Sequence, residues 1–76
     1  MSEQSIRAFV AERNAMLRAL DLTIYRAFCE KHGADQESTD EIAYASMHKA
    51  RLVVTTFSDD EKQLSRDWLL THGFKA

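Results

Sequence analysis

The stretch Tyr44 to Val54, YASMHKARLVV, holds the side chains best equipped for chemistry: His48, Lys49 and Arg51, with Tyr44 close by. On a helix, Tyr44 to His48 is an i,i+4 step and His48 to Arg51 an i,i+3 step, so ring, imidazole and guanidinium share one edge. That edge can be a recognition strip presented to a partner. It can equally be a helix edge whose long side chains cover the core with only their tips in water. The second arrangement is the commoner and is favoured here.

Other constellations are thin. The three histidines, His32, His48 and His72, make no i,i+4 pair, and the sequence has no HExxH or CxxC spacing for zinc. Cys29 is the single cysteine, so no internal disulfide forms, and it reads as a small apolar residue on a helix. The two glycines, Gly33 and Gly73, cannot build a phosphate-cradling loop. Asp59, Asp60 and Glu61 resemble paired carboxylates, but a helix start explains them. No nucleophile elbow occurs. The expectation is no enzyme, no metal and no cofactor.

The elements that would position these residues are helices. Strand-rich small domains need frequent turn residues, and this 76-residue chain has no proline. Ser58-Asp59-Asp60-Glu61 fits a capping box, and so does Ser38-Thr39-Asp40-Glu41. Gly33 and Gly73 suit the left-handed position that ends a helix, with Phe74 placed to fold back on Leu69 or Trp68. Ile6, Phe9, Val10, Leu17, Leu20, Ile24 and Phe28 keep helical spacing. Residues 3–32 could form one long helix. A break at Ala19–Asp21 is favoured, with Asp21 as a cap. The expected architecture is a single all-α domain over residues 1–76, a compact bundle of three to four helices near 3–19, 21–32, 39–57 and 59–72.

On the helix expected over 39–57, Ala43, Met47, Ala50, Val54 and Phe57 form a core stripe. Leu52, Val53 and Val54 then make this helix apolar around much of its girth. It is central in the bundle, or one face is a contact surface. Leu64 and Trp68 are an i,i+4 pair, so Trp68 is expected to anchor the last helix to the core.

The net charge is −2, and the one clear field is acidic: Asp35, Glu37, Asp40 and Glu41 follow each other with no basic residue among them. This argues against a general nucleic-acid binder, which shows a basic face. No apolar run approaches the ~20 residues a membrane span needs. MSEQSIRAF lacks the basic and apolar regions of a signal peptide, so a cytoplasmic location is expected.

With those residues in view, a resemblance can be stated. The order of RNAMLRALDLTIYRAFCEKHG, then MHKAR, then DDEKQLSRDWLLTHGF resembles a group of small helical proteins of phages, prophages and bacterial mobile regions. In that group an Asp after a short Leu-containing stretch starts a helix. An HKAR-type segment lies mid-helix, and Ser-Lys/Arg-x-Trp-Leu closes the chain before Gly. The matching residues are Asp21, His48-Lys49-Ala50-Arg51, Ser65-Arg66, Trp68-Leu69 and Gly73, and the similarity covers residues 13–74. The chain departs from the pattern in having Ser58 where a Pro precedes the last helix. The resemblance implies a phage-type accessory protein. It carries over no activity and no binding residues.

Together these features point to a small protein–protein interaction module that binds a host or viral protein. The candidate surface is Tyr44, His48 and Arg51, with Leu52 and Trp68 beside them. On that placement, replacing His48 and Arg51 by Ala weakens partner capture and leaves the fold intact. A nucleic-acid-binding regulator and a structural homo-oligomer, such as a homodimer, are the alternatives.

Overall fold

A computed structural model describes residues 3–34 and 39–76 of the chain. Among them lie four α-helices and no strand: α1 Glu3–Ala19, α2 Leu22–His32, α3 Asp40–Val53 and α4 Asp59–Thr71. Each boundary has a local chemical cause. Asp21 caps α2, its side chain accepting from the Ile24 N–H at 3.1 Å. The break at Ala19–Asp21 is therefore present, and Leu20 bends the chain there with φ at 49°. A leucine in the left-handed region costs roughly 1–2 kcal/mol, and Leu20 offsets part of this by packing against the core.

Both glycines end helices as expected. Gly33 and Gly73 have φ of 68° and 83°. In each case the paired bonds of a Schellman ending are made: Gly33 N–H to Glu30 O with Ala34 N–H to Cys29 O, and Gly73 N–H to Leu70 O with Phe74 N–H to Leu69 O. The Ser58 box is complete, the hydroxyl accepting from Glu61 N–H and the Glu61 carboxylate from Ser58 N–H. At α3 the cap is Thr39, which accepts from Ile42 N–H at 3.1 Å. Ser38, proposed for that role, lies outside the described residues.

One boundary differs from expectation. α3 stops at Val53, not at Phe57, and residues 54–58 form a turn closed by Phe57 N–H to Val54 O. The cause is the β-branched run Val53-Val54-Thr55-Thr56, which loses side-chain freedom in a helix. Val54 and Phe57 still reach the core, because the turn points both inward.

α3 is the central element. It packs against α1, α2 and α4, whereas α4 packs on α3 alone. Ala43, Met47, Val54 and Phe57 meet Met16 and Leu17 of α1 and Tyr25 and Cys29 of α2 in one core. On the α4 side, Ala45, Ser65 and Leu69 are buried. Neighbours on several sides thus cover much of the apolar girth of α3, but Val53 keeps 80% of its surface in water and Ile42 is exposed as well.

α1 is incompletely covered. With 17 residues against 11 in α2, it is longer by about 9 Å at 1.5 Å per residue. Residues 3–9 are all exposed, including Ile6 and Phe9, and so is Ile24 of α2. Their spacing is helical; Phe9 packs on Phe28 and His32 of α2, while Ile6 and Ile24 keep about half of their surface in water.

Ser58→Ala is expected to cost about 1 kcal/mol, the usual loss for an N-cap. Glu61→Gln keeps a side chain able to complete the box but removes the charge that Arg18 and Arg51 face. It is expected to lower the urea midpoint further than Ser58→Ala. Equal or smaller loss would show that the cap, not the charge, is what Glu61 contributes.

Candidate functional site

The five candidate surface residues occupy two structural nodes. The first is the seam between α3 and α4. His48 stacks on Trp68 at 4.5 Å between ring centroids, and His72 stacks on the same indole at 4.0 Å. Phe74 lies near-parallel to Trp68 at 6.1 Å and Tyr44 is tilted against it at 6.3 Å. Lys49 sits over the Phe74 ring. Trp68 therefore anchors α4, as expected, although through these rings and not with Leu64, which is exposed.

His48 is buried, and its Nδ1 lies 3.0 Å from Ser65 Oγ. A serine beside a histidine is the geometry of an activated nucleophile. Here Ser65 is fully buried within α4, so its hydroxyl has no open path to a substrate. The pair instead satisfies two polar side chains inside the seam, as buried polar groups require. Burial, with help from the Arg51 and His72 charges, pulls the His48 pKa down to about 4. Its imidazole is neutral at pH 7.

Arg51 belongs to the second node. It is buried, its Nη2 is 3.8 Å from Glu61 Oε2 and its guanidinium carbon lies 5.2 Å from the centre of the Phe57 ring. Arg18 of α1 approaches the same carboxylate oxygen at 2.7 Å and the same ring at 5.0 Å. The Ser58 N–H first, with the Ser58 hydroxyl and the two guanidinium groups, holds the Glu61 carboxyl below its ordinary value. Arg51 Nε is buried with no hydrogen-bond partner.

Tyr44 and Trp68 remain half-buried at the seam's edge, and Leu52 is half-buried on α3. The structure brings Tyr44, His48 and Trp68 together and directs Arg51 to Glu61. His48 and Arg51 therefore hold helices together, and replacing both by Ala removes packing from two seams.

A second feature lies on the α1–α2 hairpin. A groove of about 370 Å³ is lined by Ala15 and Met16 of α1 and Ile24, Ala27 and Phe28 of α2. Glu12 and Lys31 bridge it at 2.6 Å, and His32 Nε2 lies 2.7 Å from the other Glu12 oxygen. Hydrogen bonds from Lys31 and then His32 hold the Glu12 carboxyl below its ordinary value. A further hollow of about 480 Å³ opens where α1 overhangs, lined by Ile6, Phe9, Phe28, His32 and Ala34. There Phe9, Phe28 and His32 form a triad of ring contacts between 4.6 and 5.6 Å. Sequence patterning places these apolar residues at helical spacing. Only the unequal lengths of the two helices signal that part of the stripe stays uncovered.

Among the described residues, no three His, Cys, Asp or Glu side chains are grouped to hold a metal, and no helix is long and apolar enough to cross a membrane. The class defined by this architecture is a small all-α protein of four short helices. No family model, curated protein or solved structure matches the chain.

The depressed His48 pKa sets a pH dependence with a definite sign. An unfolded histidine titrates near 6.5, so between pH 6.5 and about 4 the unfolded chain binds the proton and the folded chain does not. Stability from this group is complete above pH 6.5 and is lost as pH falls toward 4, by up to about 3 kcal/mol. Urea unfolding at stepped pH should show a steeper decline in the native protein than in His48→Gln. Parallel profiles would mean that His48 titrates normally.

Proposed function

We propose that this chain is a small protein–protein interaction module, an accessory protein of the phage or prophage type that binds a host or viral protein. The observation that carries this reading is the exposed apolar surface of the α1–α2 hairpin, where Ile6, Phe9 and Ile24 border two hollows floored by apolar side chains. Contiguous apolar surface beyond scattered single residues marks an interaction site. The contact surface is thereby moved from the Tyr44, His48, Arg51, Leu52 and Trp68 edge to the hairpin.

The charges favour this reading over nucleic-acid binding. Arg7, Arg18, Arg26, Lys31 and Arg51 each lie within 4.0 Å of a carboxylate. Phosphate contacts need cations free to replace counterions, and Arg18, Arg26, Lys31 and Arg51, four of the ten basic side chains, are drawn into contacts between helices.

The test is capture of a cross-linked partner by native protein and by Ile6→Glu/Phe9→Glu. Ile6 is exposed and Phe9 gives up only its ring contacts with Phe28 and His32, so the double variant should stay folded with a lowered melting temperature and lose the partner. Undiminished capture by the folded variant would place the contact elsewhere. Retardation of a DNA or RNA duplex at low salt, relieved as salt rises, would favour the nucleic-acid reading instead.

A further inference from the structure

The groove between α1 and α2 carries a pattern that is complementary to itself. α1 contributes Glu12 and then Ala15, α2 contributes Lys31 and then Ile24, and the two helices run in opposite directions. One rung across the groove is therefore acidic on the α1 side and basic on the α2 side, bonded at 2.6 Å. Nearer the α1–α2 turn, Ile24 of α2 stands half-exposed, keeping 47% of its surface in water.

We propose that this groove is the interface of a symmetric homodimer, with the two-fold axis running along the groove. This rests on the reading of the hairpin as an interaction surface and names its occupant as a second copy of the chain. A two-fold along the groove sets α1 of one copy over α2 of the other, so every neighbouring pair in the resulting four-helix layer is antiparallel. Glu12 of each copy then meets Lys31 of the second copy, and the four charges alternate in sign around the axis. Ile24 of each copy is covered by α1 of the second. An axis across the groove would set α1 on α1 and α2 on α2, bringing Glu12 toward Glu12 and Lys31 toward Lys31. Charge alternation selects the first arrangement, in the way complementary potentials fix register at interfaces.

The dimensions of the chain agree. Its accessible surface is 5169 Å² for 8.7 kDa, where a compact monomer of that mass exposes about 4,700 Å². Its radius of gyration is 12.7 Å against about 11.4 Å for a compact chain of this length. The surplus surface belongs to a flattened chain, 17 Å in its thinnest extent. Helices about 16 and 25 Å long give an interface at the low end of the standard size, so the dimer should dissociate on dilution.

The experiment is light scattering across a concentration series, first on native protein and then on Glu12→Lys and Lys31→Glu. Native protein should approach twice its 8.7 kDa mass at high concentration and return to it on dilution. Glu12→Lys leaves only cations at the rung, and Lys31→Glu sets carboxylates against carboxylates with only His32 beside them, so each variant alone should stay monomeric. An equimolar mixture should restore the double mass, because each rung again meets its opposite across the axis. That restoration cannot come from contacts within one chain. Ile24→Glu should abolish association in every combination. Native protein that is monomeric at all concentrations overturns the proposal. So does a mixture of the two folded variants that stays monomeric. Neither result touches the capture experiment on Ile6 and Phe9, which tests the interaction reading with an outside partner.

Discussion

The carboxylate of Glu61 is the constraint on which the arrangement of helices depends. One oxygen accepts the Ser58 N–H and so closes the first turn of α4. The other is shared by Arg18 of α1 and Arg51 of α3. α4 has no backbone packing against α1, so this carboxylate is how the last helix registers the position of the first. The Phe57 ring lies near both guanidinium groups, which fixes the turn between α3 and α4 as well. Residues 54–58 must leave the helix for Phe57 to reach that place. The β-branched run that ends α3 and the aromatic that follows it serve one geometric end.

Arg51 also shows what a buried charge demands. Burial alone disfavours the guanidinium, and Glu61 opposes that effect. One hydrogen-bond donor, Nε, still goes unpaired. A charge in this position is well tolerated only while its counter-charge is present, because removing one partner leaves the other stranded in a poor solvent. The seam on the other side of α3 solves the same problem without charge. His48 stays neutral, pairs with Ser65 and stacks on Trp68. α3 thus uses polar side chains of neighbouring sequence for two different joints, one ionic and one aromatic.

How much of this was legible in the sequence follows from the range over which each feature is decided. The cap at Asp21, the box at Ser58 and the endings at Gly33 and Gly73 depend on chemistry within a few residues, and all are present. The end of α3 was misplaced because Val54 and Phe57 continue a helical spacing while the backbone does not. His48 and Arg51 could be assigned to one helix edge from spacing. Whether that edge was wet or dry depended on where α4 lay, and no local pattern fixes that. The α1–α2 groove was hidden for a related reason. Ile6, Phe9 and Ile24 carry the periodicity of core residues, and a period says which residues share a face without saying what covers it.

That last point connects the fold to its use. A chain this short has limited apolar surface to invest, and α3 takes the largest share by packing on three sides. The aromatic seam and the Glu61 node secure α4 and the α3–α4 turn. The hairpin of α1 and α2 is left with one side against α3 and the other in water. Among the described residues no helix covers that side. Exposure of Ile24 and Phe9 carries a standing penalty in water, on the order of 1 kcal/mol or more for each side chain when burial is the alternative. Binding another surface relieves that penalty without disturbing either joint of α3. The division is physical: the two joints of α3 maintain the shape, and the side of the hairpin away from α3 is left for association.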